Sequence, residues 1–157
     1  MFTFQLYISH IGGVISTATI FAVLCLFLYV WGYRKQIDMI VLSTCLAMSV
    51  TYTLKYMLNV PRPLEALVFE HDGRFPSGHA TMAAVVMGLG IYYGSKIHRV
   101  GLRRVVYMLS ILWFCLVAYS RLYLGVHVLV DVVAGGLIGV VAVWVAVQVF
   151  KHLRYYR

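Results

Sequence analysis

Two stretches of the chain concentrate the side chains that can hold an anion and move a proton. The first runs from Lys55 to Ala80, KYMLNVPRPLEALVFEHDGRFPSGHA, and the second from Tyr119 to Asp131, YSRLYLGVHVLVD. Lys55, Arg62 and Arg121 are fixed cations, and arginine grips phosphate or carboxylate through a planar two-pronged fork. Ser77 has the type and position of an N-cap for the apolar run that follows it, leaving backbone N–H groups pointing outward. Gly78 adds no side chain there, so an anion can approach the helix N-terminus closely. Together these residues describe a site for a multiply charged oxyanion, and phosphate fits best.

Two histidines supply the chemistry. His127 and Asp131 are four residues apart at the start of an apolar run, so they share a helix face. An aspartate that accepts one imidazole N–H fixes the tautomer and leaves the other nitrogen free as a nucleophile. His79 comes from a different helix and can serve as the general acid. One histidine then attacks phosphorus while the other protonates the departing oxygen. That division of labour suits hydrolysis of a phosphate ester or diphosphate through a covalent phosphohistidine. The cations would stabilise charge on the equatorial oxygens of the transition state.

Taken singly, each residue has a plainer explanation. Lys55 and Arg121 can be snorkelling helix ends, Ser77 only a cap, and His127 with Asp131 a structural polar pair. It is their joint order that argues for chemistry. His10, His71, His98 and His152 lack matching partners and read as solvated interfacial histidines.

The elements that position these residues belong to a membrane protein. The 157-residue chain is 62% hydrophobic and only 11% charged, with a mean hydropathy of +0.88. That apolar excess implies a lipid environment and an all-α fold. Five stretches approach the roughly 20 residues that a bilayer crossing needs: 11–31, 37–58, 78–95, 105–124 and 126–150. The first has neither a basic leader nor a small-residue cleavage site, and so is not read as a signal peptide. The expectation is a polytopic helix bundle of about five spans, forming a single domain over 1–157.

Of the 13 Lys and Arg residues, nine fall on one side of such a bundle: Arg34, Lys35, Lys96, Arg99, Arg103, Arg104, Lys151, Arg154 and Arg157. The positive-inside tendency puts that side, and the C-terminus, in the cytoplasm, with the N-terminus outside. The formal charge of +8 therefore reads as cytoplasmic loops and headgroup contact, with no nucleic-acid partner. Lys55, Arg62, Arg74 and Arg121 remain on the outer face, where that rule does not account for them.

Smaller signals complete the picture. Pro61 and Pro63 should end the second span near Asn59 and stiffen the chain around Arg62. In the short link that follows, LEALVFE puts Leu64, Leu67 and Val68 on one face, as in an interfacial helix. Gly90-x-x-x-Gly94 and Gly135-x-x-x-Gly139 are small-residue helix contacts, read as internal packing ahead of dimerisation. The oligomeric state is left open. Cys25, Cys45 and Cys115 stand singly in apolar runs and read as packing residues, neither disulfide nor metal framework.

The pattern K-x6-RP, PSGH and SR-x5-H-x3-D is present as Lys55 to Arg62-Pro63, Pro76-Ser77-Gly78-His79, and Ser120-Arg121 with His127 and Asp131. It resembles the type 2 phosphatidic acid phosphatase superfamily and matches at every signature position. The resemblance implies a membrane lipid phosphatase that works without metal or other cofactor. It implies that Lys55, Arg62, Ser77, Gly78 and Arg121 bind phosphate, that His79 is the acid, and that His127 is the nucleophile oriented by Asp131. Ser120 belongs to the signature as a supporting residue. Many bacterial members have six spans, and the five counted here lack one before the first motif.

Three rival readings are open to test. A metal-dependent hydrolase would have only Glu65, Glu70, Asp72 and Asp131 as outer-face carboxylates, fewer than two-metal sites gather. A vanadium haloperoxidase would share the oxyanion residues, but those enzymes are soluble. A non-catalytic headgroup binder or transporter would survive loss of His127. The partner expected is a lipid phosphate within the bilayer: undecaprenyl diphosphate first, then phosphatidylglycerol phosphate, phosphatidic acid or lipid A.

Overall fold

The computed structural model describes residues 1–62, 66–68, 70 and 72–155, with the side chains of 153–155 excepted. Pro63, Leu64, Glu65, His71 and Arg157, and the side chain of Arg154, all of which entered the sequence reading, lie outside that description. The described residues are all-α. Six helices follow in order: α1 (Phe2–Ile11), α2 (Val14–Val30), α3 (Arg34–Leu58), α4 (Gly78–Gly94), α5 (Val100–Tyr123) and α6 (Leu129–Tyr155).

Each of the five expected apolar stretches corresponds to one helix, α2 to α6. Helices α3, α5 and α6 are long and apolar enough to cross a membrane, and α1 with α2 makes a fourth candidate if the pair is one bent span. Helix α4 has 17 residues, about 26 Å at 1.5 Å per residue, which is short for a full crossing. It compensates by position, since it packs against both α5 and α6 and also touches α3. Its Ala80, Met82, Ala83, Ala84 and Val85 are buried, whereas Leu26 and Val30 of α2, Met108 of α5 and Val141 and Trp144 of α6 face outward. Apolar side chains standing exposed over most of the bundle's length are what a lipid-facing surface requires.

Small residues set how closely the helices approach. A Cβ on Gly135 would come within 2.5 Å of the Ser77 carbonyl oxygen, and one on Gly139 within 2.5 Å of the Thr81 carbonyl oxygen. Helix α6 therefore lies backbone to backbone on the first turns of α4. Gly90 and Gly94 instead make room for side chains of α5, Ser110 and Tyr107. Both small-residue motifs are spent on packing inside the chain. The three cysteines are free thiols.

Two local features depart from expectation. Before α3 the chain forms a bent pair, α1 and α2, with a 47° change of direction. The break is the Gly12–Gly13 doublet, where Gly13 takes an extended conformation as N-cap of α2 and costs both helices little to interrupt. The link after α3 is the second. Its described residues form bends and no helix, and two of its N–H groups bond elsewhere. Leu67 N–H donates to the Leu124 carbonyl at 2.9 Å, and Arg74 N–H donates to Val60 at 2.9 Å. The apolar spacing of Leu67 and Val68 did not decide the conformation.

Candidate active site

Helix α3 stops where the prolines require. Asn59 adopts the left-handed conformation (φ 37°) and its N–H closes on the Lys55 carbonyl at 2.9 Å. This leaves Lys55 on the last turn, pointing into the bundle. At the opposite wall, Ser77 caps α4 by accepting from Ala80 N–H at 3.4 Å. Ser77 N–H in turn donates to the Asp131 carbonyl at 3.0 Å. The mouth of α4 and the first turn of α6 are thus locked to each other, which carries His79 and His127 to a common place.

That place is a cavity of about 450 Å³. Lys55, Glu70, Asp72, Gly78, His79 and His127 line one side of it, and Ser9, His10, Gly13 and Ser16 of the α1–α2 break line the other. Three residue sets far apart in sequence therefore share one space. A Cβ on Gly78 would meet Val14 Cγ2 at 3.4 Å and Lys55 Cε at 3.9 Å, both ordinary contacts. Protein packing would accept a side chain there. The room that Gly78 leaves is room in the cavity.

The charged groups stand in a compact array. Lys55 is 6% exposed and Arg121 is 1% exposed, so neither is a helix end reaching for water. Buried cations need partners, and these have them. Lys55 Nζ lies 2.9 Å from Asp72 Oδ2 and donates to the Gly73 carbonyl. Arg62 NH2 lies 2.5 Å from Asp72 Oδ1 and 2.7 Å from Glu70 Oε2, while Nε donates to the Asp72 carbonyl at 2.9 Å and NH1 to the Val126 carbonyl at 3.0 Å. Arg121 pairs with Glu70 through NH2 and donates to Ser9 Oγ through NH1. Burial pushes the Glu70 carboxyl up, but Arg121 and Arg62 more than offset it and hold it below the usual range. Burial likewise raises Asp72, and hydrogen bonds from Lys55 and Arg62 bring it below its ordinary value.

His127 sits between an acid and a cation. Its Nδ1 is 3.5 Å from Asp131 Oδ2, and its Nε2 is 3.4 Å from Arg62 NH1. Asp131 is 1% exposed; its Oδ2 also accepts from Val128 N–H at 2.9 Å and lies 3.7 Å from Arg74 Nε. The carboxylate is therefore anchored independently of the histidine it faces. His79 also lines the cavity, beside Gly13, where an added Cβ would be 3.5 Å from its Nε2.

The residues singled out in sequence thus divide into three groups. Lys55, Gly78, His79 and His127 line the cavity itself. Arg62 reaches it through Glu70, Asp72 and His127, Arg121 through Glu70, and Asp131 backs His127. Ser77 and Ser120 are buried, and Ser120 Oγ donates to the Val117 carbonyl at 2.7 Å inside α5. Ser9, His10 and Ser16 were missed. His10 is exposed, as expected, yet stands on the cavity lip. The Gly12–Gly13 doublet, a break signal followed by Ser16, was a hint to the second half of this set.

A helical membrane bundle built around a buried cation array and two histidines defines the class: a membrane protein with a cavity lined by a cation and histidines. Residues 38–155 match the PAP2 superfamily model, and the chain belongs to that superfamily. Among solved structures it is similar to the transmembrane PAP2-type phosphatidylglycerolphosphate phosphatase of Bacillus subtilis. The two share 26% identity with a TM-score of 0.82, over 99% of this chain and 79% of that one. It also shares the fold of Aquifex aeolicus LpxE, at 24% identity and a TM-score of 0.73, over 94% of this chain and 85% of that one. No curated protein matches the sequence significantly. The family is that of membrane PAP2-type lipid phosphatases.

Proposed function

We propose that residues 1–157 form one phosphatase domain, with its catalytic motifs at 55–131, that hydrolyses a phosphate on a lipid headgroup through a phosphohistidine and without a metal. The observation that carries this reading is the single cavity lined at once by Lys55, Gly78, His79 and His127. His127 Nε2 attacks phosphorus while Nδ1 faces Asp131. The bond from phosphorus to the leaving oxygen breaks, and His79 gives that oxygen its proton. In the second half a water attacks the phosphohistidine; His79 takes the water's proton, and inorganic phosphate leaves. Arg62, 3.4 Å from Nε2, stands where charge builds on the transferred group, with Lys55 and Arg121 in support.

The active site opens on the non-cytoplasmic face in this reading. Its support is the separation of basic residues: Arg34 and Lys35 open α3, and Arg99, Arg103 and Arg104 open α5, at the ends opposite Lys55 and Arg121. An outward site suits undecaprenyl diphosphate, the substrate we propose first. Phosphatidylglycerol phosphate is the second reading, favoured by similarity to the Bacillus subtilis enzyme. Phosphate release from detergent-purified protein decides, across both lipids, phosphatidic acid and lipid A. The expected result is turnover of at least one, unaffected by chelator and lost in His127→Ala. Activity abolished by chelator would overturn the metal-free mechanism, and function surviving His127→Ala would favour a headgroup binder.

A further inference from the structure

The α3–α4 link lays two carboxylates on the very cations a phosphate would use. Asp72 spans Lys55 and Arg62, at 2.9 and 2.5 Å, and Glu70 spans Arg62, at 2.7 Å, and Arg121. Each of the three cations is therefore already paired with an acid of the same short segment. The arrangement has a direction. Side chains of Lys55, Arg62 and Arg121 are 7%, 10% and 2% exposed, while those of Glu70 and Asp72 are 22% and 48% exposed. The acids stand on the open side with the cations behind them, and both acids line the cavity. An arriving phosphate meets them first.

Resting on the catalytic reading above, we propose that Glu70 and Asp72 are built-in competitors of phosphate for Lys55, Arg62 and Arg121 that set how tightly the site holds its product. A doubly charged phosphate must displace carboxylates that already satisfy the guanidinium forks, so its net gain is the difference between two similar sets of ion pairs. The competition lowers affinity for every phosphate by a similar factor. Its consequence depends on how the phosphate is presented. A lipid phosphate is confined to the membrane plane, at high effective concentration beside the site, and still fills it. Free phosphate, including the product just released, has no such tether and fails to hold the cations. The carboxylates thus clear the product and reserve the site for anchored substrates.

The test is the affinity of full-length protein for inorganic phosphate in detergent micelles at neutral pH, by isothermal titration calorimetry. Wild type is compared with Glu70→Gln and Asp72→Asn, which keep shape and remove charge. The expected result is binding tightened roughly tenfold in each variant, corresponding to one carboxylate no longer competing. Affinity unchanged or weakened would overturn the proposal, because the acids would then merely hold the cations in position. Asp72→Glu keeps the charge and should bind phosphate as weakly as wild type; tight binding there would also overturn it. If no lipid phosphate is hydrolysed, the catalytic reading fails, but these phosphate affinities still decide the role of the two acids.

Discussion

The α3–α6 bundle and the bent pair before it contribute to the same cavity by different means. The α3–α6 bundle brings charge and reactive nitrogen: Lys55, His79, Arg121, and His127 with Asp131. Its parts are locked by close backbone contact, as where Gly135 lies on Ser77. The α1–α2 pair brings no charged side chain to the cavity apart from the titratable His10. It supplies Ser9 to Arg121 and the bare backbone of Gly13 beside His79. The family match covers 38–155 and so takes in the first region while leaving out the second. On the proposed reading, chemistry is concentrated in one part of the chain, and the other part shapes and orients it.

If that division holds, removing space from the motif side should cost most. Gly78→Ala should leave the protein folded, because its Cβ would meet only ordinary contacts at 3.4 and 3.9 Å. It should lower kcat/KM by roughly 10- to 100-fold, on the order of 1.4 to 3 kcal/mol of lost transition-state binding. Thermal melting in detergent and steady-state kinetics separate the two effects. A large melting loss would make Gly78 a packing residue instead.

A smaller effect belongs to the bent pair. Ser9→Ala removes the acceptor for one Arg121 N–H and should lower kcat/KM by about 3- to 10-fold, the net worth of one ordinary hydrogen bond, since Arg121 keeps its pairing with Glu70. Ser9→Thr should restore most of it. Ser16→Ala, whose hydroxyl donates to the His10 carbonyl at 2.6 Å within the break, should change activity less. Equal effects would mean that the pair acts as a wall and does not orient Arg121.

The smallest expected effect is on pH stability. Glu70 and Asp72 have carboxyls held below their ordinary values of 4.5 and 3.8. Their stabilisation is therefore fully present above that range and lost as pH falls through the lowered values. The fall in melting temperature on acidification should be shallower in the Glu70→Gln/Asp72→Asn double variant than in wild type. Parallel curves would detach these acids from the acid response.

Much of this was legible in the sequence, for identifiable reasons. Ser77 as a cap and the end of α3 at Asn59 follow from short-range rules. So does the all-α membrane class, which rests on long apolar runs. The nearness of His127 to Asp131 was legible too, but not as a shared helix face: His127 lies in the bend before α6, which begins at Leu129, and its Nδ1 stands 3.5 Å from the carboxylate. What escaped depended on contacts distant in the chain. Glu70 and Asp72 were visible as carboxylates, but their pairing with Lys55, Arg62 and Arg121 requires the link to turn back across α3 and α5. The apolar spacing of Leu67 and Val68 suggested a helix, but both residues lie in bends, with Leu67 N–H bonded to Leu124. Ser9 lies in FTFQLYISHI, a mixed stretch whose only mark is that Gln5 and Ser9 share a helix face, and both are buried. Arg74 was noticed as a misplaced cation. Only the fold puts it 3.7 Å from Asp131.

The covalent role of His127 is tested most directly by trapping. Purified protein is mixed with a lipid phosphate radiolabelled on the phosphoryl group, quenched in alkaline detergent before turnover is complete, and the labelled peptide identified. The expected result is label on His127 in wild type and none in His127→Ala, which should also lose roughly a thousandfold or more in kcat. Full turnover with no label on His127, or label and activity surviving in His127→Ala, would contradict a phosphohistidine at this position.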